Sequence, residues 1–146
     1  MNASNIIATG QQILTYIPQR PPIVMVDTLY ALQDEGRVTK TALTITPQNI
    51  FSTQGIFAEA GVLEHVAQSA ALRIGYISQQ HNEEIKIGYI GSFDKVKFDQ
   101  MPAVGSQLLT TLTLDCDMEF LLMFSFFVTA NNQPIAQGRV KVALKQ

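Results

Sequence analysis

The sequence predicts an α+β domain in which one long helix packs against a largely antiparallel sheet. Three observations carry that expectation. A proline-free stretch from Phe57 to Ser78 has helical spacing of its apolar residues, two segments rich in branched residues precede it, and several segments that alternate apolar and polar residues follow it. The 146 residues suffice for one domain with a substantial core. No internal repeat, low-complexity tract or linker divides residues 1–146.

Taken in order, Ile6, Ile7, Ile13 and Leu14 stand at roughly helical spacing and Pro18 ends the segment, so residues 6–16 are expected to form a short leading helix. After Pro21-Pro22, the run IVMVDTLYAL and the segment RVTKTALTIT flank the turn signal Asp34-Glu35-Gly36 and read as two antiparallel strands. The helix over Phe57–Ser78 would span about 33 Å, with Gly61 and Gly75 as points where it could be trimmed. Leu63, Val66, Ala67, Ala70, Ile74 and Ile77 form its apolar stripe, and small residues such as Ala60 and Ala71 let a sheet wrap closely around it. Ile85, Ile87 and Tyr89 alternate, whereas Val96 and Phe98 have the opposite parity, which predicts a bulge or bend near Gly91-Ser92. Leu108, Leu112 and Leu114 mark a further strand. FLLMFSFFV reads as a strand covered on both faces, and Asn131-Asn132 as a tight turn into a last strand carrying Val140, Val142 and Leu144.

Composition narrows the function. Charged residues make up only 15% of the chain, a lean surface that predicts burial against another subunit, by default in a homodimer. A net charge of −2, with no basic stripe, excludes a nucleic-acid phosphate backbone or an anionic membrane as favoured partner. The longest apolar stretch, Phe120 to Val128, is far shorter than the ~20 residues needed to cross a bilayer. Cys116 is the single thiol and no charged-then-apolar leader precedes the domain, so a soluble protein of the reducing cytoplasm is expected. His65 and His81 belong to no ligand cluster, no glycine-rich phosphate loop occurs, and no metal or cofactor is expected.

Glu64 stands out. It lies early in the helix among apolar and small residues, with Gln68 one turn later. Partial burial disfavours a charged carboxylate and raises its pKa towards an acid/base range, while the free N–H groups of a helix start polarise a carbonyl. Together they suit acyl-thioester chemistry. From pattern alone, a helix-start Glu favoured by the dipole is the commoner explanation.

IPQRPPIVMVD resembles the Leu-Pro-His-Arg-Tyr-Pro-Phe-Leu-Leu-Val-Asp opening of bacterial 3-hydroxyacyl-acyl-carrier-protein dehydratases, matching Arg20, Pro22, Val26 and Asp27. LEHVAQSAA resembles that family's Glu-Ala-Met-Ala-Gln-Ala helix motif, and FDKVKFDQMPAVGSQL its later strand and turn at Asp94, Lys95, Phe98, Gly105, Gln107 and Leu108. The resemblance implies a hotdog fold, in which a curved sheet wraps a long central helix, with dimerisation and acyl-chain binding along that helix. It aligns Glu64 with the catalytic Glu and implies substrate contacts at Ile50, Phe51, Glu59, Ala60 and Gln68. It also exposes departures: Ile50 stands where the family has its catalytic His, Glu59 replaces the Gly whose amide faces the substrate, and Gln19 replaces a non-catalytic His. LEHVAQSAALRIGY is most similar to the divergent dehydratase-like proteins of aryl-polyene and flexirubin pigment clusters.

The expected function is therefore that of a dehydratase-type lyase acting on an acyl-carrier-protein or coenzyme A thioester in fatty-acid or polyene biosynthesis. In this reading Glu64 protonates the leaving hydroxyl, and water or a partner supplies the base. Two alternatives remain open: a catalytically impaired, acyl-binding half of a heterodimer with a His-bearing paralogous hotdog subunit, and a hotdog thioesterase. His65 points about 100° away from Glu64 on a helix and is expected to have a surface or packing role.

Overall fold

The proline-free stretch forms a single helix, α1 (Glu59–Gln80), in a computed structural model that describes residues 5–145. Neither glycine interrupts it. Seven strands surround the helix in one antiparallel sheet of spatial order β1-β2-β3-β7-β8-β9-β6: β1 (Ile6–Thr9), β2 (Thr28–Tyr30), β3 (Val38–Thr44), β6 (Gly88–Phe98), β7 (Gln107–Asp117), β8 (Leu121–Ala130) and β9 (Gln133–Leu144). A small hairpin of β4 (Ser52–Thr53) and β5 (Ile56–Phe57) leads into the helix. This is the expected hotdog arrangement.

Local chemistry explains the turns. Asn131 and Asn132 both have positive φ, 52° and 60°, as the tightest two-residue hairpin requires, and they join β8 to β9. The β6–β9 register shifts between Ile90 and Ser92, at the predicted bend, and again between Asp94 and Lys97.

Four expectations are corrected. Residues 6–16 are not a helix: Ile6–Thr9 pair with β2, and a 3-10 helix, Gly10–Thr15, follows. Branched Ile6 and Ile7 suit a sheet edge, and Gly10 turns the chain at φ +56°. The run from Ile23 to Asp27 lies outside the strands, and only Thr28–Tyr30 join the sheet. Ile85 and Ile87 precede β6, which starts at Gly88. In β8, Leu122, Phe124, Phe126 and Val128 are buried while Phe127 is exposed, so the strand is covered on one face because the sheet has a helix on one side alone.

The main core joins Val62, Val66, Ala70 and Ile74 of α1 to Leu108, Leu112, Phe124, Phe126, Val140 and Val142 of the sheet. A second cluster packs Leu72 against Ile13, Ile17 and Leu29. The helix is thus buried over most of its circumference. Inside the helix, Leu63, Glu64, Ala67, Ala71, Tyr76 and Ile77 are half-buried, and Ala60 near its start is exposed. The solvent-side stripe is therefore offset from the expected apolar one, from which Leu63, Ala67 and Ile77 are only half-buried. No helix among the described residues is long and apolar enough to cross a membrane.

Candidate active site

The start of α1 is built by its neighbours. Ala58 donates its N–H to Phe51 O at 2.9 Å, and Asn49 Oδ1 accepts the Phe51 N–H at 2.9 Å, so the loop is tied to the helix entrance. Phe51 packs edge-on to Phe57, their ring centres 6.3 Å apart. Gly61 allows this: a Cβ there would lie 2.5 Å from the Phe57 ring and 2.8 Å from Phe51 Cβ. The Gly61 and Val62 N–H groups both reach Ala58 O, leaving Glu59 and Ala60 with N–H groups that find no acceptor among the described residues. Ile50, at the position where the resemblance places a His, is half exposed.

One turn into the helix, Glu64 lies on the half-open stripe of small residues. Burial pushes its carboxyl up from the ordinary value of 4.5, and hydrogen bonding by Gln68 pulls part of that rise back. The protonated form is thereby kept available for donation to a substrate oxygen. The helix start accordingly brings together Phe51, Glu59, Ala60 and Glu64, with Ile50 on the adjoining loop.

Gln68 and His65 face inward and hold a strap of chain against the helix. Gln68 accepts the Met25 N–H at 2.6 Å through Oε1 and donates to Ile23 O at 2.8 Å through Nε2. His65 Nδ1 lies 2.6 Å from Met25 O, and Nε2 lies 2.8 Å from Thr110 Oγ1. Since Met25 O can only accept, Nδ1 carries the proton and Thr110 donates to Nε2. Ser69 Oγ donates to His65 O and meets Thr41 Oγ1 of β3 at 2.7 Å. These bonds replace the sheet ladder that Ile23–Met25 lack, and they fix the rotation of the helix and so the direction of Glu64. The packing role expected of His65 is what it performs. Thr110 carried no sequence signal, because its partner His65 is 45 residues away in the chain, and Asn49, besides its local bond to Phe51, donates to Met25 Sδ 24 residues away.

Burial lowers the His65 pKa from 6.5 to about 4, against the opposing effect of the Met25 carbonyl. Because the unfolded chain takes up the proton first as pH falls, stability is complete above pH 6.5 and is lost progressively down to about pH 4. That difference corresponds to about 3 kcal/mol. Urea titrations should therefore show the wild type losing about 3 kcal/mol more stability than His65→Leu between pH 6.5 and pH 4. Equal losses would refute the linkage.

The family described as ApeP-like, ApeP dehydratase, matches residues 11–146. The chain belongs to that family. It is 23% identical over 139 residues to the 3-hydroxyacyl-[acyl-carrier-protein] dehydratase FabZ of Burkholderia mallei, covering 92% of this chain and 89% of the relative. FabZ of Cupriavidus metallidurans is likewise 23% identical over 141 residues, covering 93% of each chain. Among solved structures, the dehydratase heterocomplex ApeI:P from Xenorhabdus doucetiae superposes with a TM-score of 0.84 at 17% identity, covering 92% of this chain and 91% of that one. These matches accord with the dehydratase resemblance read from the motifs around Arg20, Glu64 and Asp94.

Proposed function

We propose that this member of the ApeP-like family dehydrates 3-hydroxyacyl thioesters on acyl carrier protein and that a paralogous hotdog subunit completes its site. The observation that carries this reading is the Glu64 carboxyl, raised in pKa and set on an open stripe one turn from the unpaired N–H groups of Glu59 and Ala60. In the reaction the thioester carbonyl accepts from the helix start, a base removes a C2 proton, and protonated Glu64 donates to the departing C3 hydroxyl, which leaves as water. Ile50 cannot act as that base, so the base comes from the partner or from a held water. The FabZ relatives support the carrier-protein substrate.

Two features support the partner. The Glu64 stripe is open in the single chain, and among the described residues β6 borders only β9, leaving its other edge unpaired there beside exposed Ile85, Ile87, Tyr89 and Ile90. The heterocomplex nature of the ApeI:P structure favours a paralogue over a second identical chain. The single thiol, Cys116, supports a cytoplasmic setting.

The test is intact-mass measurement of a 3-hydroxyacyl carrier protein after incubation with the chain, alone and co-expressed with a His-bearing paralogue. Loss of one water, faster with the paralogue, is expected. Loss of the whole acyl group would establish a thioesterase instead, and no change in either preparation would leave a structural, acyl-binding subunit. Native mass spectrometry of the co-expressed proteins should show a heterodimer, and exclusive homodimers would refute the pairing.

A further inference from the structure

At the opposite end of α1 from Glu64, a cavity of about 410 Å³ opens between the helix C-terminus, the start of β8 and the ends of β7 and β9. Its size is that of a small-ligand pocket. Ile74, Ile77, Phe120, Leu122 and Leu144 supply apolar wall. The buried polar residues at its floor are Ser78, whose Oγ donates to Ile74 O, and Arg73, whose exposure is 8%.

A buried guanidinium needs compensation, and Arg73 has only part of it. Nε and Nη2 both donate to Gly36 O, at 3.1 and 2.9 Å, and the guanidinium carbon lies 5.5 Å from the centre of the Phe124 ring. Nη1 has no hydrogen-bond partner among the described residues, and neither of their salt bridges includes Arg73. Desolvation depresses its pKa, and the charge of Asp117, too distant for an ion pair, acts against that. The other charged groups of the pocket, Glu83, Lys86, Asp117 and Glu119, are all exposed at the rim. Water and salt screen the rim charges, whereas the buried floor charge is screened less and acts more strongly on a ligand that enters.

We propose that this cavity is a second ligand site, distinct from the Glu64 site, for a small organic acid with its carboxylate on the free edge of Arg73 and its hydrocarbon body against Ile74, Ile77 and Leu122. A carboxylate matches the planar donor edge and supplies the countercharge the floor lacks. Binding at Arg73 requires no dehydratase activity.

Octanoate, octanol and octylamine, titrated into the isotope-labelled full chain and followed by amide chemical shifts, test it. Octanoate should bind saturably with a Kd below about 1 mM, shifting Ile77, Ser78, Lys86 and Leu122, and should bind equally to Glu64→Gln. Arg73→Met should weaken it at least tenfold; if that variant fails to fold, Ile77→Trp, which fills the cavity and spares the Gly36 bonds, should block it. Octanol binding as well as octanoate, tighter octylamine binding, shifts confined to Ala60–Ala71, or no saturable binding would each overturn the proposal.

Discussion

Replacing Glu64 by Gln is expected to lower kcat for dehydration by about 10²- to 10⁴-fold while leaving the fold intact. Gln keeps the shape and the hydrogen-bonding reach of the carboxylic acid but has no acidic proton to give. The loss corresponds to about 3 to 5 kcal/mol of transition-state stabilisation. The pH dependence follows from the raised pKa. The general acid must be protonated, so kcat should fall as pH rises through the Glu64 pKa, and the upward shift carries activity to higher pH than an ordinary carboxyl would allow. Stability has a related sign. Below the unfolded pKa both states hold the proton; as pH rises the unfolded chain releases it first, so the favourable contribution is lost by the time pH passes the folded value. Above its folded pKa the ionised, partly buried Glu64 therefore destabilises the fold, and Glu64→Gln should there melt at the same temperature as the parent or higher. Steady-state kinetics and thermal melts on the same preparations check both statements. Lost activity with undiminished stability identifies a chemical role that misfolding cannot imitate, and full retention of activity would remove Glu64 from the mechanism.

How much of this was legible depends on whether a residue's partners are near it in sequence. The alternation of β7 and β9, the Asn131-Asn132 turn and the bend near Ser92 are local signals, and the structure keeps them. The leading segment failed because Ile6 and Ile7 obey the sheet neighbour β2, some 20 residues on, over their own helical spacing. Ile23–Met25 failed for a similar reason. The branched side chains of Ile23 and Val24 suit a strand, yet the backbone groups of Ile23 and Met25 bond to Gln68 and His65, 40 or more residues away. At the site, Glu64 drew notice as a carboxylate among small residues, although pattern alone favoured a helix-start Glu stabilised by the dipole. Its alignment with the family's Glu then gave it a role. Gln68, expected at the substrate, holds the strap through Oε1 and Nε2 and also hydrogen-bonds Glu64. The strap contacts lie too far along the chain to be read from its own position in the helix. Arg73 gave no signal at all, since an arginine inside a helix is ordinary until its burial is known.

The largest expected loss of stability lies at Gly75. On helix propensity alone, Gly75→Ala should stabilise α1 by about 1 kcal/mol. Packing reverses that sign. A Cβ at position 75 would lie 2.0 Å from the Tyr16 carbonyl oxygen and 2.9 Å from its carbon, distances at which atoms overlap. The obstacle is backbone and cannot swing aside as a flexible side chain would. Relief requires the segment after the 3-10 helix to move, and its neighbours Ile13 and Ile17 are buried against Leu72 in the second core cluster. A net loss of about 3 kcal/mol is expected, above the usual range for a surface change, and for a chain of this length a melting temperature lower by on the order of 10 °C. Gly91→Ala is the control, because the nearest atom to a Cβ there is 3.6 Å away and the effect should stay within about 0.5 kcal/mol. The sequence allowed Gly75 to be a point where the helix is trimmed; the contact makes it the point where the helix and the N-terminal segment come closest. A Gly75→Ala protein as stable as its parent would show that Tyr16 can yield, and that this approach is not what fixes the N-terminal segment on the helix.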